Sequence, residues 1–262
     1  MSAKKDIALV LSSGGARGLA HIGAIEELER QGYRIQSIAG CSMGALVGGM
    51  YAAGRLDDFK QWMFDLDRAK IWRLTDLSLS LTHLMKGERV IEAMKDIVPD
   101  TRIEELSIPY CAVATDWENG REVVFRSGSL YDAIRASISM PAVFSPVRRD
   151  GLILVDGGII NPLPLSQVQR HEGDLLAAVN VSAPDFESQN RKHDLNVNYV
   201  TLVDRAMSIA IKQNAAFALQ IYPPDILCDI SMADFDGFDY HKAPQIVRRG
   251  QVAMRQLLKS RK

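Results

Sequence analysis

Cysteine is scarce in this sequence: Cys41, Cys111 and Cys228 are the whole complement of a 262-residue chain. They fall in apolar strand-like or turn settings at no zinc-ligand spacing, which argues against a disulfide scaffold or structural metal and for a reduced, cytoplasmic setting. Net charge is also nearly absent, at −1, so no strong positive field is available to hold nucleic-acid phosphates. Long apolar runs are missing. The first, Ile7 to Leu11, is cut by Ser12-Ser13-Gly14-Gly15 and is too short for a signal peptide. The stretch Ile35 to Gly54 carries no charge, but five glycines and Gln36, Ser37 and Ser42 interrupt it, and its two halves differ in period. It is no membrane span. Repeats and low-complexity tracts are lacking, and the longest polar stretch is about Pro184 to Asn198. The length fits one domain with ample core.

What the sequence does contain is a strand, a sharp turn and a helix around Gly40-Cys41-Ser42-Met43-Gly44. This is G-x-S-x-G, in which a buried strand (Ile35 to Ala39) delivers a serine to the crest of a strained turn. Gly40 and Gly44 stand where strand end and first helical turn approach, and a Cβ there would collide. The amide after Ser42 points into the same space from a helix N-terminus. With Gly and Ser each near ~7% of an average chain, the bare pattern arises by chance in roughly one chain in ten. Its context therefore matters more than the pattern.

Ile7 to Leu11 reads as a buried parallel strand, Ser12 to Gly18 as a glycine-rich turn, and Leu19 to Arg30 as a helix, making a βαβ opening. Leu56 to Val98 is a helical insertion (about 56–98) whose Trp62, Phe64, Ile71, Trp72, Leu77, Leu79, Leu81 and Leu84 serve either core packing or an acyl-chain groove. Strands follow at Tyr110 to Thr115, Glu122 to Phe125, Leu152 to Val155, Leu175 to Val181 and Ile226 to Ile230. Hairpin signals stand at Asn119-Gly120 and Asp150-Gly151. Ser129 caps a helix over Leu130 to Ser137. Tyr199 to Leu219 and Ala243 to Leu258 are helices of a C-terminal part (about 199–262). The expected fold is α/β, a central mostly parallel sheet with helices on both faces.

A nucleophilic Ser42 needs a base. The five histidines, His21, His83, His171, His193 and His241, include none that follows a late strand as a hydrolase-triad histidine would. Asp156 does end a strand, beside Gly157 and Gly158, and either takes the serine proton directly or merely caps a turn. Its free pKa, near ~3.9, would have to be raised by shielding from water. Ser13-Gly14-Gly15-Ala16-Arg17-Gly18 offers consecutive amides for an oxyanion. As a dinucleotide loop it is one glycine short and lacks the acidic residue after the next strand. Asp234, Asp236 and Asp239 lack the glutamate that closes a calcium loop.

Taken together and in this order, Gly14-Gly15-Ala16-Arg17-Gly18, Gly40-Cys41-Ser42-Met43-Gly44 and Asp156-Gly157-Gly158 resemble the patatin-like phospholipases. The similarity is to the bacterial branch related to the catalytic domain of neuropathy target esterase, over about Ile7 to Val181. Ala136-Ser137 with Pro141 and Phe144 is similar to the family segment before the aspartate strand. The resemblance implies a Ser-Asp dyad of Ser42 as nucleophile and Asp156 as proton acceptor. It also implies an oxyanion hole from the Gly14, Gly15, Ala16 and Arg17 amides, and a lipid ester as substrate without metal or cofactor. Two positions depart from the pattern: Ser13 replaces a usual glycine and Cys41 a usual threonine. A lipid-binding regulatory protein and an acyltransferase are the alternative readings. The insertion's aromatics, together with Lys242, Arg248, Arg249, Arg255, Lys259 and Lys262, suggest peripheral membrane contact or simply a solvated basic helix. Head group, chain length and oligomeric state are not encoded legibly.

Overall fold

Ile7, Leu9 and Leu11 alternate with Ala8 and Val10 along the first strand, and all five side chains are fully buried. Burial of both alternating sets requires a sheet covered on both faces. The computed structural model describes residues 5–67, 69–70, 87–141, 143–182, 199–231 and 235–261. In chain order its main elements are β1 (Lys5–Leu11), α1 (Ala20–Arg30), β2 (Tyr33–Cys41), α2 (Met43–Ala52), α3 (Leu56–Phe64), α4 (Glu88–Lys95), β3 (Tyr110–Asp116), β4 (Arg121–Phe125), α5 (Leu130–Ser137), β5 (Val147–Arg149), β6 (Leu152–Asp156), β7 (Leu175–Asn180), α6 (Tyr199–Ile221), β8 (Ile226–Asp229) and α7 (Ala243–Ser260).

The described strands form one eight-stranded sheet in the order β5-β6-β3-β2-β1-β7-β8, with β4 also paired to β3. Strands β3, β2, β1, β7 and β8 run parallel, and β4, β5 and β6 enter through antiparallel pairs. The sheet is thus mixed, with a parallel centre. Ile7, Leu9 and Leu11 pack among α1, α2, α5 and α7, while Ala8 and Val10 face Leu163, Leu165 and Ala215 of α6.

One junction in this sheet places the site. Strand β4 occupies one edge of β3, so β2 and β6 share the other. Strand β2 runs along it until Cys41 lies opposite Val113, and β6 arrives from the other direction until Asp156 lies opposite Ala114. The two strands meet C-terminus to C-terminus. Residue 42 and residue 156 are neighbours for that reason, despite their distance in sequence.

The C-terminal helix is clamped to the first. A Cβ on Gly250 would lie 1.9 Å from the Ala20 carbonyl, so α7 crosses α1 at backbone contact. Fully buried Glu27 bonds Arg30 of its own helix and Arg255 of α7, the latter at 3.3 Å, and these cations hold its carboxyl well below the usual range. In the insertion, Phe59 and Met63 belong to the core and Trp62 packs against it. Ile71, Trp72, Leu77, Leu79, Leu81, Leu84, His83, the stretch Pro184 to Asn198 with His193, Asp234 and Lys262 lie outside the described residues.

Candidate active site

Ser42 stands between the end of β2 and the start of α2 with φ 52° and ψ −121°. A non-glycine residue in this region costs on the order of 1–3 kcal/mol and persists only where its surroundings impose it. Here they do. A Cβ on Gly40 would sit 2.4 Å from the Gly44 carbonyl oxygen, and one on Gly44 would sit 2.3 Å from that of Leu11. The two glycines let strand and helix close around the serine, as the G-x-S-x-G spacing anticipates. The Ser42 amide donates to Ser137 Oγ at 2.8 Å, and Ser137 Oγ donates in turn to the Val113 carbonyl at 2.6 Å.

Ser42 Oγ donates to Asp156 Oδ2 at 2.6 Å. The other carboxylate oxygen, Oδ1, accepts the Gly158 amide at 2.7 Å. The aspartate backbone is fixed as well: its carbonyl accepts from Thr115 Oγ1 at 3.0 Å and its amide donates to the Ser139 carbonyl at 3.0 Å. Both side chains are nearly buried, Ser42 at 8% and Asp156 at 4% exposure. Burial pushes the Asp156 carboxyl up to about 6, against the lowering influence of the Ser42 and Gly158 hydrogen bonds. A carboxylate so placed is a far better proton acceptor at neutral pH than an exposed one.

The glycine-rich turn after β1 forms a short 3₁₀ segment, Gly15–Leu19, and closes onto two distant parts of the chain. A Cβ on Gly14 would meet Val181 Cγ2 at 2.3 Å. Gly15 has φ +58°, and a Cβ there would meet the Gly237 carbonyl oxygen at 2.7 Å. That same carbonyl accepts the Ala16 amide at 2.8 Å. Of the four amides the sequence nominates for an oxyanion, Ala16's is therefore engaged within the protein. Arg17 turns its Nε back to the Gly14 carbonyl at 3.1 Å and braces the loop. Ser13, in place of the usual glycine, packs against Gly158, whose added Cβ would lie 2.8 Å from Ser13 Oγ.

Ser42, Asp156, Gly14, Gly15 and Arg17 line one cleft of about 470 Å³. Gly18, Gly40, Gly44 and Gly157 act beneath it as close-approach positions: a Cβ on Gly18 would strike Met43, and one on Gly157 the Val113 carbonyl. The Cys41 thiol is buried under the Asp156-Gly157 turn, where loss of solvent raises its pKa well above the ordinary value. A buried thiol of this kind is an inert neighbour of Ser42.

Among the described histidines, His21 is buried, donates from Nε2 to the Ser12 carbonyl at 2.8 Å, and is held neutral by burial with a pKa lowered to about 4. His171 pairs with Asp174, and His241 lies 3.9 Å from Asp239. Neither Ser42 Oγ nor the Asp156 carboxylate bonds any of the three.

Three contributors have roles that no local signal in the sequence assigns. Ser137 and Ser139 hold the backbones of Ser42 and Asp156. The segment 235–240 closes over the glycine loop, and one face of α6 walls the cleft. A buried serine after a helix and a polar turn before another are common, so only their distant partners reveal the role.

A family model described as patatin-like phospholipase matches residues 9–168. An uncharacterized NTE family protein of Mycobacterium tuberculosis is 42% identical over 219 residues, covering 83% of this chain and 61% of that protein. Lysophospholipase NTE1 of Saccharomyces cerevisiae is 33% identical over 188 residues, covering 68% of this chain and 11% of that protein. This chain thus spans less than two thirds of the length of these relatives. The crystal structure of VipD from Legionella pneumophila shares the fold, with a TM-score of 0.61 at 15% identity over 98% of this chain and 67% of that one.

Proposed function

This chain belongs to the patatin-like phospholipase family, and from that membership we propose that it is a serine acyl hydrolase that cleaves lipid carboxylic esters of the phospholipase A or lysophospholipase type. The observation that carries the proposal is the 2.6 Å hydrogen bond from Ser42 Oγ to a buried Asp156 carboxylate inside the cleft.

In this reading Asp156 takes the Ser42 proton as Oγ attacks the ester carbonyl. The tetrahedral oxyanion is met by the Gly14 and Gly15 amides and by the amide of Met43 at the N-terminus of α2. Collapse breaks the ester C–O bond, and Asp156 returns its proton to the departing alcohol. Water then attacks the acyl-serine by the same route, releasing the fatty acid and restoring both residues.

Contact with a lipid surface is part of the proposal. Leu202, Ile209, Phe217 and Ile221 of α6 are each more than half exposed, on the helix that also walls the cleft. Among the described residues no helix is long and apolar enough to cross a membrane. The experiment is labelling with a fluorophosphonate followed by peptide mapping. Modification of Ser42, abolished in Ser42→Ala, is expected; labelling elsewhere, or unchanged ester turnover by Ser42→Ala, would overturn the assignment.

A further inference from the structure

Ser13 stands between two peptide groups, and the polar atoms of both can be followed one by one. In the first, the Ser12 carbonyl accepts from His21 Nε2 at 2.8 Å and the Ser13 amide donates to the Pro162 carbonyl at 2.8 Å. In the second, the Ser13 carbonyl accepts from two hydroxyls, Ser12 Oγ at 3.0 Å and Ser182 Oγ at 3.0 Å. The fourth group is the amide of Gly14, a residue of the cleft lining, and among the described residues it has no hydrogen-bond partner. A trans peptide directs its carbonyl and its N–H to opposite sides. The two hydroxyls therefore fix the direction of the Gly14 N–H by holding the other end of the same rigid unit. Both are themselves held, since β1 and β7 run side by side and these serines lie just past their ends. Ser12 Oγ accepts the Val181 amide at 3.0 Å, and the Ser182 amide donates to Asn180 Oδ1 at 3.0 Å. Asn180 Nδ2 donates in turn to Asp229 Oδ1 at 2.8 Å, on the adjoining strand β8. Ser12 and Ser182 are buried, so bulk water does not compete for these bonds.

We propose that Ser12 and Ser182 are positioning residues for the oxyanion: they clamp the Ser13–Gly14 peptide so that the Gly14 N–H is aimed at the oxygen that gains charge when Ser42 attacks. This rests on the acyl-hydrolase reading and deepens it, adding two side chains that act through the backbone without touching the substrate. A donor that must rotate into place during the reaction loses much of its worth, and a peptide held at its carbonyl by two buried hydroxyls has no such rotation to make. Hydrogen bonds accepted by that carbonyl also polarise the peptide and strengthen its N–H as a donor.

The test measures kcat and KM on a short-chain ester dispersed as monomers, and Ki for an alkyl trifluoromethyl ketone, in the unaltered protein and in alanine variants. The ketone takes Ser42 Oγ at its carbonyl carbon while the proton passes to Asp156, and the resulting oxyanion has no leaving group to expel. Its affinity therefore reports the oxyanion site. Ser182→Ala is the cleaner variant, because the Ser12 hydroxyl also serves the Val181 amide. Ser182→Ala and Ser12→Ala should each lower kcat about tenfold, the worth of one hydrogen bond, with KM little changed and Ki raised by the same factor. The double variant should approach the ~10²–10³-fold loss of a missing oxyanion donor. Ser37→Ala is the matched control, since its hydroxyl is also on a buried residue and donates to a backbone carbonyl, that of Gln169, well before Ser42 on β2. It should lower Tm comparably and leave kcat and Ki unchanged. Unchanged kcat and Ki in the folded single variants, a fall in kcat with Ki unmoved, or an equal loss in Ser37→Ala would overturn the clamp and leave the hydrolase standing. Absence of both ester turnover and ketone binding in the unaltered protein would overturn both.

Discussion

Ser137 Oγ accepts the backbone amide of Ser42 at 2.8 Å, so a side chain on the last turn of α5 holds the strained peptide of the proposed nucleophile. Its own proton goes to the Val113 carbonyl, on the strand that registers β2 against β6. Ser137→Ala would leave a buried amide without a partner, which costs about 1–3 kcal/mol. Part of that cost should appear as relaxation of the elbow. We expect kcat to fall about 10- to 100-fold with KM little changed, and fluorophosphonate labelling of Ser42 to slow in parallel. Labelling at the original rate would show that the glycines alone shape the turn.

The raised pKa of Asp156 has two consequences of opposite kind. As the proposed proton acceptor the group must be ionised, so kcat/KM should rise with pH through about 6 and fall away below it. For stability the sign reverses. A carboxyl raised from 3.8 to about 6 in the folded state favours folding in its protonated form, so its penalty grows as pH rises from about 4 to 6 and is constant above. Asp156→Asn should therefore melt higher than the unaltered protein at pH 8, by an amount worth up to ~3 kcal/mol, and the difference should vanish near pH 4. A variant less stable at both pH values would contradict a desolvated carboxylate.

At Gly15 the backbone φ is +58° and the Gly237 carbonyl fills the space a side chain would need. Gly15→Val should tilt the loop and remove a proposed oxyanion donor, costing on the order of 3 kcal/mol in the barrier. The measurement is kcat on a soluble, folded variant; an unchanged value would remove this loop from the mechanism.

The exposed apolar row of α6 predicts binding to lipid vesicles. Replacing Ile209 and Phe217 together by Asp should lower co-sedimentation at least tenfold while the melting temperature holds, since neither side chain is in the core. Equal sedimentation of variant and unaltered protein would move the contact elsewhere.

Much of the geometry of the candidate site was legible because its signals are local. The five-residue run of β1, the glycines flanking Ser42, the Ser129 cap and the Asp150-Gly151 turn each impose a backbone shape through their own chemistry. Ser129 Oγ accepts the Asp132 amide, and Asp150 and Gly151 both take positive φ. Asp156 was placed at a strand end by the same logic. The head-to-head meeting of β2 and β6 was not legible, since it depends on which edge of β3 each strand takes. Nor were the Ser137 clamp and the closure of Gly237 over Ala16, which are single hydrogen bonds between parts of the chain far apart in sequence. The Ala16 amide, nominated as an oxyanion donor by its loop, is occupied for that reason.

In the proposed mechanism a carboxylate, with no histidine, takes the proton of Ser42. Its most direct test is kcat/KM for Asp156→Asn beside the single alanine variants of His21, His83, His171, His193 and His241, each verified as folded. Asp156→Asn should lose at least ~10²–10⁴-fold, and every histidine variant should retain activity. One folded histidine variant as impaired as Asp156→Asn would make the site a triad and contradict it.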